Sequence, residues 1–168
     1  MGNSASHSHI VVRPMVAADL YQSFFNAGSR QHGEIWLEQQ DRSEAYVAIA
    51  EYDGIAVGRV ALDFKLKADR GAAFLMAAHV EPEYQSRGIG TALFNHLEQV
   101  ARQHGFGAMM LHVGKENPNA RRLYERLGYL VCGEEVNRWS HRDGDRIIEH
   151  TEDCWLMRKD LPSSPAAS

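Results

Sequence analysis

Six residues, Gln85-Ser86-Arg87-Gly88-Ile89-Gly90, carry the clearest chemistry in this chain. Gly88 and Gly90 lack a Cβ, so an anion can approach the backbone closely, and Arg87 adds a formal positive charge beside them. Apolar residues then recur at helical spacing through Ile89, Ala92, Leu93, Leu97 and Val100. The first N–H groups of that helix, at Ile89, Gly90 and Thr91, have no partner within it and lie at the positive end of its dipole. They suit a phosphate. Upstream, Ala72 to Glu81 alternates as a strand until Pro82, with Ala78 and Val80 on one face and Ala77, His79 and Glu81 on the other. Two other phosphate motifs are excluded. A dinucleotide fingerprint needs Gly or Ala three positions after Gly90, where Leu93 stands, and no Gly-Lys-Ser/Thr follows. Gly105 and Gly107 read as a helix stop.

Gln85-x-x-Gly88-x-Gly90, entered from a Val80-x-Pro82 strand end and leading into an amphipathic helix, resembles the acyl-CoA pyrophosphate loop of the GNAT superfamily of N-acetyltransferases. Downstream, Asn117-Pro-Asn-Ala-Arg-Arg-Leu-Tyr124-Glu-Arg-Leu-Gly-Tyr129 is similar to that family's second signature. The resemblance implies acetyl-CoA as co-substrate, held by Gln85, Ser86, Arg87, Gly88, Ile89, Gly90 and Thr91 at the pyrophosphate. Val80, Asn117, Asn119 and Tyr124 would hold the arm and thioester. Two parallel strands ending near Val80 and Val113 would splay, freeing the amides of His79 to Glu81. Tyr124 would act as general acid: a phenol near pKa 10 giving its proton to a thiolate near 8.5 works uphill by roughly 2 kcal/mol. His79 or Glu81 would take the ammonium proton. Phe24, Trp36 and Glu34 would shape the acceptor side, unless the aromatics are core and Glu34 solvated.

The implied reaction is acetyl transfer to a primary amine by direct attack. The acceptor is a small-molecule or protein amine. The alternative is a non-catalytic acyl-CoA-binding sensor, for which a proton donor at Tyr124 would be superfluous. The closing hairpin carries an acidic surplus, including Glu134, Glu135, Glu149 and Glu152, that would either attract a cationic amine or form a solvated face.

At 168 residues and 44% hydrophobic composition, one domain with a real core accounts for the chain. Its net charge of −4 argues against nucleic acid as the main partner. No apolar run reaches membrane-span length and no secretory pattern opens the sequence, so a cytoplasmic protein without a membrane partner is expected. Gly2 with Ser6 matches a myristoylation pattern only two residues deep. Cys132 and Cys154 read as reduced packing residues, and the scattered histidines suggest no metal site. A homodimer stays open.

These groups need a scaffold. Residues 1–9 and 161–168 read as disordered tails around a domain at 10–160. Ile10 to Arg13 predicts a first strand, Met15 to Gly28 a helix, and Glu34 to Gln39 a shorter helical piece. Asp53-Gly54 predicts a hairpin between 44–51 and 55–64, and Asp143-Gly144 another between 129–139 and 146–157. Helices at 88–104 and after Asn117, with a buried strand at Met109 to Val113, complete the order. The expected fold is α/β (α+β): one GNAT-like mixed, mostly antiparallel sheet with a central parallel strand pair and helices on both faces.

Overall fold

Alternation along the strands sends successive side chains to opposite faces, and each face receives its own helix. The computed structural model describes residues 9–25 and 27–162, the side chains of 27 and 28 excepted. The expectations for residues 1–8, including the Gly2–Ser6 match, and for 163–168 lie outside the described residues. Among the described residues, seven strands form one sheet in the order β1-β2-β3-β4-β5-β7-β6. They are β1 (Ile10–Pro14), β2 (Ala45–Tyr52), β3 (Ile55–Asp63), β4 (Ala72–Val80), β5 (Ala108–Gly114), β6 (Leu130–Asp143) and β7 (Arg146–Asp160). Only β4 and β5 pair in parallel. Three helices, α1 (Ala27–Asp41), α2 (Ile89–Gln103) and α3 (Pro118–Arg126), cover the sheet. The expected fold class is the observed one.

In β2, Ala48 and Ala50 join a core with Leu93, Leu97 and Val100 of α2, while Val47 and Ile49 join Phe24, Phe25 and Trp36 on the other face. The β2–β3 turn places Asp53 and Gly54 at φ of 50° and 84°, the pair of positive values a type I′ hairpin needs. His9 and Leu161 belong to the packed domain. The His9 N–H donates to Asp53 Oδ1 at 2.8 Å, and Leu161 is buried with its N–H on the Gly107 carbonyl.

The segment after β1 departs from the expected helix. A 3-10 turn occupies Ala17–Tyr21, and the long helix begins only at Ala27, running through the position read as its stop, Gly28. Two tertiary contacts override the local pattern. Asp19 is buried; its carboxylate holds the Arg13 guanidinium at 2.8 Å and accepts the Val16 N–H, which fixes the tight turn. Burial alone would push that carboxyl's pKa up, but Arg13 and the Val16 N–H outweigh it and hold the group below its usual range. Inside α1, a Cβ on Gly33 would meet Leu20 Cδ2 at 2.5 Å and Phe25 Cε1 at 2.9 Å. A glycine lets the loop pack directly on the helix, at a propensity cost of about 1 kcal/mol.

Among the described residues no helix is long and apolar enough to cross a membrane.

Candidate active site

The β4–β5 ladder ends early. Its pairs run from Ala72–Ala108 to Leu75–Leu111, although both strands continue, so a gap opens in the middle of the sheet. On the other side of β4, a bulge opposite Val60 puts Ala77 at φ 56° and shifts the register with β3. The simple alternation expected through Ala77 and Ala78 therefore breaks: Leu75 and Val80 contact the same α2-side core. His79 and Glu81 do share a face, with Nε2 and Oε1 3.4 Å apart, and Ser23 Oγ donates to the same Glu81 oxygen at 3.1 Å. The Glu81 N–H is already used, donating to the Val57 carbonyl at 2.8 Å. Strand alternation then turns the Val80 N–H and carbonyl toward the gap, and Gln85 Nε2 donates to that carbonyl at 3.1 Å.

A cavity of about 680 Å³ runs from this gap to the amino end of α2 and across to α3. Val80, Gln85, Ser86, Gly88, Ile89, Gly90, Thr91, Asn119 and Tyr124 all line it. Gly88 caps α2 at φ 83°, a left-handed conformation that favours glycine. A Cβ built on Gly90 would meet nothing within 4 Å, so the backbone there borders open space. Within the helix the first bond is Ala92 N–H to Gly88 carbonyl, which leaves the three preceding amides for a guest. This donor set fits a pyrophosphate.

Two predicted residues stand outside that wall. Arg87 lies over the rings of Tyr52 and Tyr84, at 5.2 and 5.4 Å from their centroids. Asn117 caps α3, its side chain accepting the Ala120 N–H at 3.2 Å.

Tyr124 packs on Phe94 and Tyr129, with ring centroids 5.7 and 6.3 Å away. Its hydroxyl has no hydrogen-bond partner among the described residues, where no fully buried side-chain oxygen is left unpaired. The oxygen therefore opens into the cavity. Burial raises its pKa above the ordinary phenol range, so at neutral pH the hydroxyl keeps its proton. Tyr129, deeper still, is buried against Met109.

On the opposite face, Phe24 is buried and Trp36 half-buried beside Phe25. Glu34 is exposed, about 200° around α1 from Trp36. The structure does not bring it to the aromatic group. Sequence reading also passed over Arg59 of β3, the cross-strand neighbour of His79, which sits among those rings. The signal was available: one arginine inside an otherwise apolar strand, Ile55-Ala-Val-Gly-Arg-Val-Ala-Leu.

Residues 14–129 match the sequence profile of the Acetyltransferase (GNAT) family. This chain belongs to that family. An uncharacterized N-acetyltransferase of Methanocaldococcus jannaschii is 36% identical over 97 residues, which are 56% of this chain but only 42% of that protein. Among solved structures, a ribosomal-protein-alanine N-acetyltransferase from Brucella melitensis has a TM-score of 0.68 at 20% identity, covering 90% of this chain and 99% of that one. A putative acetyltransferase from Salmonella typhimurium with its cofactor acetyl-CoA has a TM-score of 0.66 at 19% identity, with 96% and 99% covered. At such identities these structures establish the GNAT fold.

Proposed function

We propose that the chain transfers the acetyl group of acetyl-CoA to a primary amine by direct attack. Acetyl-CoA supplies the activated acyl group. The observation that carries this reading is the cavity joining the α2 amino end, the free Val80 amide and the Tyr124 hydroxyl. The amides of Ile89, Gly90 and Thr91, with Gln85, Ser86 and Gly88, hold the pyrophosphate, and Arg87 adds charge at its edge. Asn117 and Asn119 flank the arm. The Val80 N–H donates to the thioester oxygen, stabilising charge that grows there during attack. His79 or Glu81 takes the ammonium proton, directly or through one water, which frees the nitrogen lone pair. As the new carbon–nitrogen bond forms and the carbon–sulfur bond breaks, the Tyr124 hydroxyl gives its proton to the departing sulfur. Phe24 and Trp36 border the acceptor side. Glu34, facing solvent, is given no role.

Calorimetry and melting test the reading directly. At one hundred times its dissociation constant, a ligand that binds only the folded state stabilises it by about 2.7 kcal/mol. That raises the melting temperature of a domain this size by roughly 5–10 °C. Thiol release should then depend on an added amine. No stabilisation by millimolar acetyl-CoA would refute the reading, and binding without amine-dependent release would leave the sensor instead.

A further inference from the structure

Arg59 is a half-buried cation that makes no direct ion pair among the described residues, Glu81 acting on it only from a distance. Several other half-buried cations are paired with a carboxylate: Arg13 with Asp19 at 2.8 Å, Lys67 with Glu135 at 2.7 Å, Lys159 with Glu98 at 2.6 Å. Arg59 instead lies 4.5 Å from the Phe25 ring centroid, 5.7 Å from that of Trp36 and 6.0 Å from that of Phe24. Its Nη1 donates to the Phe24 carbonyl at 2.7 Å and its Nε approaches the Ala77 carbonyl at 3.4 Å. Its Nη2 donates to nothing among the described residues, and since no fully buried nitrogen there is left unpaired, that edge reaches solvent. Aromatic rings crowd this guanidinium while Nη2 stays free to donate a charge-assisted hydrogen bond to a carboxylate.

The surroundings narrow the ligand. Arg59 and His79 are direct cross-strand partners, a relation that places Cβ atoms about 4.5–5.5 Å apart. Glu81, beside His79, is close enough for its charge to support that of Arg59 against burial, which lowers the guanidinium pKa. An anion-binding group and a proton-accepting pair thus stand on neighbouring strands, joined by one cross-strand pair. The acidic hairpin is a weaker lure than its sequence suggested, because Glu134 is held by Lys115 and Glu135 by Lys67 and His112.

We infer that the acceptor is a free amino acid, its amine at Glu81 and His79 and its carboxylate on the open edge of Arg59. The inference rests on the acetyltransferase reading. Its test is a set of matched amines with acetyl-CoA, followed by thiol release: the free L-amino acids, the carboxamide of each, the decarboxylated amine of each, and spermidine. For the best amino acid, kcat/KM should exceed that of its carboxamide at least tenfold, about the worth of a hydrogen bond to a charged group. In Arg59→Met that ratio should fall to within about threefold of one, while acetyl-CoA affinity by calorimetry stays unchanged. Should Arg59→Met fail a circular dichroism check, Arg59→Lys, which keeps charge but loses the guanidinium, should give an intermediate ratio. Equal use of acid and carboxamide, a preference for spermidine, or a ratio retained in folded Arg59→Met would overturn the inference and leave acetyl transfer standing. Absence of acetyl-CoA binding would instead strike the reading beneath it.

Discussion

The two faces of the sheet are built by different rules. On the α2 side, a continuous core of Ile89, Leu93, Leu97 and Val100 packs on alternate strand residues, and the polar groups around the cavity come from short, contiguous stretches. On the α1 side, Ser23, Arg59 and Glu81 come from distant parts of the chain and meet only when it is folded. The α2 face is therefore set by local backbone geometry, which serves an invariant partner such as a pyrophosphate. The α1 face is set by side-chain contacts between remote segments, which can change one residue at a time without disturbing the other face.

Substitutions on each side can break or sharpen that contrast. Tyr124→Phe should have the largest effect: kcat falls by roughly 10²- to 10⁴-fold, the range for a general acid, while acetyl-CoA affinity barely moves. Full activity in a folded variant would reject Tyr124 as the acid. Next, Gly90→Val should weaken acetyl-CoA binding by about 10- to 100-fold, the loss of one or more charge-assisted hydrogen bonds, without lowering the melting temperature of the free protein. Gly88 is the poorer test, because its φ of 83° would strain any β-branched replacement in the fold itself.

Asp19→Ala should act on the other face and on stability, costing about 2 kcal/mol through the lost charge-assisted hydrogen bonds to Arg13 and the Val16 N–H, since Arg13 keeps Glu51. Because the folded state holds the Asp19 carboxyl below its usual range, the unfolded chain binds its proton first as pH falls. The contribution is thus complete above about pH 4 and disappears below it as pH drops through the lowered value. Urea melts between pH 3 and 6 should show wild type and Asp19→Ala converging on the acid side. Acetyl-CoA affinity at neutral pH should survive in the variant; its loss would mean that the faces are coupled. Smallest of all, Glu34→Gln should change stability by no more than about 0.5 kcal/mol and leave acceptor KM unaltered, as for a solvated side chain.

The same contrast explains what could be read in advance. Strand alternation, the Asp53-Gly54 turn, the Asn117 cap and the Gly88–Gly90 loop are short-range signals, and they gave the sheet, its helices and the groups lining the cavity. The helical piece at Glu34 to Gln39 lies inside α1. The turn at Ala17–Tyr21 and the start of α1 at Ala27 escape a sequence reading, because they depend on Asp19 reaching Arg13 and on Leu20 and Phe25 pressing against Gly33. Neither contact leaves a periodic trace. The bulge at Ala77 was equally silent, since two successive alanines carry no turn chemistry. Arg59 was legible as an oddity within its strand, but its meaning required the rings that the folded chain brings around it.

The early end of the β4–β5 ladder also has a signature in isotope labelling. Interior strands normally exchange their amide hydrogens for deuterium only on global opening, over the slowest times a domain shows. Here the Val80 amide lies between two core strands yet lacks a ladder partner, so it should label at a rate closer to that of a surface loop, while the Glu81 amide, bonded to Val57, stays slow. A ligand seated in the gap would silence Val80 and leave Glu81 as it was, making two adjacent peptide groups an internal clock and its control.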